Sequence, residues 1–239
     1  MNILLQLLLA HVITDFVLQS KKLVNHKKKH KTKSWFLYLH SALAGFLSVL
    51  FLMDFSFWYI GLIIGVTHFF IDLWKLNKEK DNLKYFLLDQ LFHIIIIVLA
   101  WLVVVNGFKD VFPWFRSVLA SSQIMGIILG YILIIFPVGF IIGRATHRWR
   151  KEVEIDGEES SLEKAGRYIG IFERILVFTF VITNQIAAIG FLIAAKSILR
   201  FSNKEEVNAR KQTEYVLIGT LMSFSITIVI GMLVGEISF

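Results

Sequence analysis

Residues 35–74 read WFLYLHSALAGFLSVLFLMDFSFWYIGLIIGVTHFFIDLW, and only Asp54 and Asp72 among them carry a formal charge. A helix needs about 20 predominantly apolar residues to cross the hydrocarbon core of a bilayer. The stretch holds two runs close to that length, Trp35–Met53 and Phe57–Trp74, joined by a tight turn at Asp54–Ser56. It predicts a transmembrane helical hairpin. A soluble domain would interleave its polar residues at helical or strand period instead.

The same reading extends in both directions. Met1–Gln19 is apolar, but its positive charges follow the run, no small-x-small cleavage site closes it, and His11 and Asp15 interrupt it. It reads as a retained first span and not as a signal peptide. Lys21–Lys33 holds seven Lys with His26 and His30. Such a loop is expected in the cytoplasm, which places the N-terminus outside. A second Lys-rich loop, Lys75–Lys84, precedes a fourth span, Tyr85–Val105. Residues 1–105 thus predict a four-helix unit of two hairpins.

Asn106–Gln123 follows as an amphipathic connection, with Pro113, Trp114 and Arg116 suited to the interface. Ile124–Gly143 is a fifth span with a kink expected at Pro137, ending in the basic flank Arg144–Lys151. Glu152–Lys164 is a polar loop rich in acidic residues, and is the leading candidate for a domain boundary. Tyr168–Leu199, at 32 residues, is long for one upright span and short for two. Basic flanks (Arg167 before, Arg200 and Lys204 after) favour a helical hairpin turning near Asn184–Gln185, partly re-entrant; one long tilted helix is the alternative. Glu214–Gly235 is the last span. The expectation is an all-α polytopic membrane bundle of about six full spans plus the 168–199 element, divided into 1–105, 106–123 and 124–239.

Composition agrees. Hydrophobic residues make up 56% of the 239, Phe alone numbers 22, and charged residues are 18%. Mean hydropathy is +0.67. The net charge of +7 belongs to basic loops facing cytoplasm and anionic lipid, so no nucleic-acid partner is expected. The absence of Cys excludes disulfides, thiolate metal sites and a Cys nucleophile.

Within the apolar runs stand His11-x-x-x-Asp15, His40, His68-x-x-x-Asp72 and Asp89-x-x-x-His93. Each i,i+4 pair shares one helix face. At 1.5 Å per residue, alternating spans bring all seven to within about 15 Å of the same membrane face. Ionisable groups inside a membrane are costly and face the protein interior or water. Neutral imidazoles with carboxylates suit zinc first, with manganese or iron as alternatives. Seven candidates exceed one tetrahedral set, so a second ion is an option, and Asp15 reads as a ligand or a general base. His26, His30 and His147 read as solvated or interfacial.

Lys21 and Lys22 are candidates for a substrate phosphate or a lipid headgroup. A second constellation comprises Glu173, Arg174, Lys196 and Arg200. Glu173 and Arg174 point about 100° apart on a helix, so Glu173 is expected to reach Lys196 or Arg200 across the hairpin. An internal ion pair and a substrate-phosphate site are both open there.

LLLAHVITDFVLQ (7–19), THFFID (67–72) and DQLFH (89–93) resemble the signatures of a bacterial membrane family, domain of unknown function number three-three-zero-seven, over roughly the first half. The GxxIGxxER and IAAKSILRF strings, with EYVLIGTL from Glu214, resemble the C-terminal half of its longer members. The resemblance implies a bacterial cytoplasmic (inner) membrane location and no activity. A looser similarity to inner-membrane metal-dependent hydrolases implies metal-assisted hydrolysis. With no Ser-His-Asp elbow and no phosphate-binding Gly loop, a metal-dependent hydrolase of a lipid-linked or phosphorylated substrate is the expected function. The alternatives are an ion or proton transporter or channel using the same cluster, and a non-catalytic membrane sensor or assembly protein with a structural metal. Membrane lipid is an expected partner and homo-oligomerisation is open.

Overall fold

The computed structural model describes residues 2–78, 82–149, 161–201 and 207–237, excepting the side chains of 161–164, 199–201, 207–212 and 237. Every regular element among them is helical. Among the described residues, five helical stretches are long and apolar enough to cross a membrane: Trp35–Leu52, Phe55–Leu76, Leu83–Val104, Ser122–Ala145 and Thr213–Glu236. A sixth exists if the bent pair Ile3–Val17 and Lys21–Lys33 counts as one broken span. Large apolar side chains such as Phe46, Leu62 and Phe70 are exposed on these helices. Outward apolar faces on this scale suit lipid, not water. The chain is an all-α membrane protein. It divides into two compact units, residues 1–113 and 114–239. The division falls between Pro113 and Trp114; of the Glu152–Lys164 segment, residues 152–160 lie outside the described residues.

In the first unit, α1 (Ile3–Val12) passes directly into a π-helical turn, Ile13–Val17. The Lys-rich segment expected as a loop is instead helix α2, Lys21–His30, closed by a 3₁₀ turn at Lys31–Lys33. Lysine is a good helix former, so a run of it does not by itself make a loop. The chain bends by 83° between Ile3–Val17 and this segment. Next come α3 (Trp35–Leu52), α4 (Trp58–Leu76) and α5 (Leu83–Val104). At the α3–α4 turn the Asp54 carboxylate accepts from Ser56 N at 2.9 Å, and its hydrogen bonds with Ser56 hold its pKa below the ordinary carboxylate value.

Helices α1, α3, α4 and α5 pack as a four-membered ring, each against two neighbours. One end of the ring is an apolar core of Leu7, Ala44, Leu52, Ile60, Ile64, Ile97 and Ala100. The tightest seam is α3 on α4. A Cβ on Gly45 would run into the carbonyl oxygen of Gly61, and would lie 3.4 Å from Gly65 Cα. Gly61 and Gly65 have the small-x-x-x-small spacing that lets membrane helices approach backbone to backbone. Buried hydroxyls raise no conflict, because Ser41 and Ser48 donate to the carbonyls of Leu37 and Ala44 one turn back.

Helix α6 (Phe108–Ala120) is amphipathic, as expected of the connection. The second unit contains α7 (Ser122–Ile135), α8 (Pro137–Ala145), α9 (Ser161–Ile182), α10 (Ile186–Phe201) and α11 (Val207–Ile237). The expected kink is a break: Phe136 separates α7 from α8, whose first residue is Pro137. Proline has no N–H and tolerates only the first turn of a helix. Between α9 and α10 the chain turns at Thr183–Gln185, where Asn184 takes φ 57°. That is the hairpin expected near Asn184–Gln185, not one long helix. Ile134, Phe178 and Val234 form one core here, and Val177, Ile189 and Phe224 a second.

Candidate metal centre

All seven expected residues converge at one level of the first unit. Along α1, α3, α4 and α5 the apolar core gives way to His11 and Asp15, His40, His68 and Asp72, and Asp89 and His93. Six of the seven are buried and Asp15 is nearly so. The α3–α4 glycine seam explains the closest approach. His40 lies five residues before Gly45 and His68 three after Gly65, and their Nε2 atoms are 3.0 Å apart.

The carboxylate of Asp15 completes a triangle with these two rings. Its Oδ1 is 3.4 Å from His40 Nε2 and 3.3 Å from His68 Nε2. Yet this oxygen is buried and makes no hydrogen bond of good geometry. Ligands 2.0–2.1 Å from a tetrahedral zinc ion stand about 3.3 Å from one another. The three edges bracket that value. His11 Nδ1 lies 3.9 Å from the same oxygen, while its Nε2 lies 3.3 Å from Gln90 Oε1. An amide oxygen can only accept, so Nε2 carries the proton and Nδ1 offers a lone pair. The π turn carries Asp15 at its centre. Such turns recur at functional sites because they re-aim one side chain without ending a helix.

Among the described residues, three sets of side chains can each supply ligand atoms within 4.8 Å of one another: His11, Asp15 and His68; His40, His68 and Asp72; Asp72, Asp89 and His93. His68 joins the first two sets and Asp72 the last two. A cavity of about 10 Å³ opens on the core side, lined by His11, His68 and His93 with Ser48, Thr67 and apolar residues. That is about the least space that holds one water molecule.

Four site residues carried no signal of their own in the sequence. Lys27 of α2, only 4% exposed, bonds Asp72 Oδ2 at 2.6 Å. Lys75 bonds Asp89 Oδ2 at 2.7 Å. Gln19 Nε2 lies 2.9 Å from His40 Nε2. Gln90 spans the site, its amide nitrogen 3.3 Å from Asp15 Oδ2 and 3.2 Å from Asp89 Oδ2. The two lysines compensate Asp72 and Asp89, whereas the ionisable neighbours of Asp15 are the imidazoles of His11, His40 and His68. With neutral imidazoles, three carboxylates and two ammonium groups leave one negative charge for a cation to balance.

The remaining expected residues lie apart from this cluster. Lys21 and Lys22 are exposed at the start of α2, and Lys27 is the lysine of that helix that reaches inward. His26 is half-buried, not solvated: Nδ1 is 2.8 Å from Ser34 Oγ and its ring lies 4.3 Å from that of His30. His147 is exposed. In the second unit Lys196 Nζ donates to Glu173 Oε2 at 2.6 Å, as the hairpin required. Arg174 is buried and donates through Nε to the Ile134 carbonyl at 2.5 Å, next to the α7–α8 break. Gly139 and Gly170 make room for its guanidinium. The side chain of Arg200 lies outside the described residues.

Residues 3–120 match the model of a family described as Protein of unknown function (DUF3307). The matched part of the chain holds the whole His/Asp cluster. No curated protein and no solved structure matches the chain.

Proposed function

We propose that the first unit binds a divalent cation through Asp15, His40 and His68, with His11 as the nearest further donor. The function that follows is metal-dependent hydrolysis inside the membrane, on a lipid-linked or phosphorylated substrate. The observation that carries this reading is the Asp15–His40–His68 triangle, whose edges of 3.0, 3.3 and 3.4 Å surround a buried carboxylate oxygen with no hydrogen bond. Without a cation, the two Nε2 atoms share a hydrogen bond at 3.0 Å, but the Asp15 oxygen beside them keeps an unanswered desolvation. With one, all three atoms become ligands. The donor set is nitrogen and oxygen only, which suits zinc first and manganese or iron next. A bound ion lowers the pKa of its water toward neutrality and polarises a phosphoryl or acyl oxygen. In this reading Asp15 is a ligand and not a free base.

Lys27 and Lys75 fit the role of outer partners, because ligating carboxylates are themselves held by hydrogen bonds. The basic helix α2 favours a site near the cytoplasmic face of a bacterial inner membrane, with the N-terminus outside. Elemental analysis of the purified chain beside His68→Ala tests the proposal. Stoichiometric zinc, manganese or iron in the wild type and its loss in the variant are expected, and negligible metal in both refutes it. The rival reading, an ion or proton route, predicts instead flux through the chain in liposomes.

A further inference from the structure

The triangle leaves three of the seven clustered side chains, Asp72, Asp89 and His93, to be explained. They offer ligand atoms within 4.8 Å of one another from α4 and α5 alone. Two of these side chains carry atoms that the protein leaves unanswered: Asp89 Oδ1 and His93 Nε2 are buried and have no hydrogen-bond partner. Their residues are 1% and 3% exposed. Neither is left so by disorder of its own side chain. Asp89 is anchored through its other oxygen, Oδ2, by Lys75 at 2.7 Å and Gln90 at 3.2 Å. His93 is anchored through Nδ1, 2.9 Å from the backbone carbonyl of Asp89. A carbonyl can only accept, so that contact puts the proton on Nδ1 and the lone pair on Nε2. Each side chain is thus held by one atom while the other, an oxygen or a nitrogen lone pair, stays bare. Asp72 is anchored through Oδ2 by Lys27 at 2.6 Å. A carboxylate or imidazole fixed from behind is how metal ligands are oriented.

We infer that Asp89 Oδ1 and His93 Nε2, with Asp72, form a second divalent-cation position beside the first. This inference rests on the metal reading of Asp15, His40 and His68 given above. The two positions are neighbours: the rings of His68 and His93 have centroids 4.1 Å apart, and His68 and Asp72 lie one turn apart on α4. Asp72 shares one ligand set with His40 and His68 and the other with Asp89 and His93, so it stands between the positions. Charge points to the ligand that such a pair would take. Two divalent ions turn the single net negative charge of three carboxylates and two lysines into three positive ones. Two adjacent ions clamp the attacking and leaving oxygens of a phosphoryl group. The substrate class narrows accordingly to a phosphoryl compound, and a carboxylic ester is disfavoured.

The test is a titration of the full-length, metal-stripped chain in detergent with Mn²⁺, followed by paramagnetic resonance. Two ions per chain with an exchange-coupled spectrum are expected. His93→Gln should bind one ion with an uncoupled spectrum, while His30→Gln, at an exposed position at the end of α2, should keep two coupled ions. One ion in the wild type, or two without coupling, overturns the second position and leaves the first standing. Two coupled ions in His93→Gln remove His93 from the site and overturn the inference. No Mn²⁺, Zn²⁺ or Fe²⁺ bound at all overturns both proposals together. The wild-type measurement decides the matter even where a variant fails to fold.

Discussion

Gly45→Ala adds a single methyl group to the seam that sets the site. Two effects oppose one another. Replacing glycine by alanine inside a helix stabilises by roughly 0.5–1 kcal/mol. Against this, the new Cβ meets the Gly61 carbonyl oxygen at an impossible distance and lies 3.1 Å from the Gly61 carbonyl carbon. The obstructing atoms are backbone, so no side chain can swing aside. Restoring ordinary contact, near 3.5 Å, requires α3 and α4 to part by about 1 Å. Overpacking of that kind costs roughly 1–3 kcal/mol, so the clash outweighs the propensity gain. The same displacement, carried to His40 and His68, opens their 3.0 Å Nε2 separation toward about 4 Å, beyond the ~3.3 Å edge of a tetrahedral zinc site. Affinity for Zn²⁺ should fall by roughly 10–100-fold, the loss typical when a ligand's support is disturbed. Competition against a fluorescent chelator measures affinity, and thermal unfolding of the metal-free protein in detergent measures the packing cost. Gly190→Ala, whose Cβ would meet nothing within 4 Å, is the control. If Gly45→Ala binds Zn²⁺ as tightly as that control, the glycine seam does not set the ligand geometry.

Two further changes probe buried charges by thermal unfolding in detergent. Lys75→Met strips the ammonium from Asp89, which is 1% exposed, and should destabilise the metal-free chain by roughly 3 kcal/mol, the low end for a broken buried pair because Lys75 itself is partly exposed. The double variant Lys75→Met/Asp89→Asn should recover most of that loss, and a fully additive double variant contradicts the pairing. Arg174→Leu leaves the Ile134 carbonyl without its donor and should cost roughly 1–3 kcal/mol. Arg174→Lys should not restore it, since an ammonium cannot reproduce the guanidinium fork; wild-type stability in either variant would refute this role.

How much of this was legible beforehand follows from the kind of signal each feature leaves. The spans were readable because lipid demands long apolar runs, and Trp35–Leu52 and Leu83–Val104 fall within two residues of expectation. The meeting of His11, Asp15, His40, His68, Asp72, Asp89 and His93 was readable too, since alternating helices put those positions at one height. What the pattern could not carry was anything decided by a single contact. Lys27 looked like one of seven equivalent lysines, yet α2 is a helix and one of its faces turns toward Asp72. Gln19 and Gln90 are neutral and leave no mark in a charge pattern, although Gln90 reaches three of the seven residues. The π turn at Ile13–Val17 has no proline or glycine to announce it. Gly45, Gly61 and Gly65 were visible as letters, but which glycine faces which is fixed only when α3 meets α4.

The break before Pro137 bears on how the second unit is made. Membrane helices form first and associate afterwards. Arg174, the donor to the Ile134 carbonyl, lies 40 residues farther along the chain. During synthesis, then, the segment around Phe136 enters the bilayer ahead of the residue that completes it, which follows 40 residues later. Assembly is ordered by that delay: α9 must arrive for the broken span to settle, and a chain truncated ahead of residue 174 would present the insertion machinery with an unfinished helix and a target for quality control.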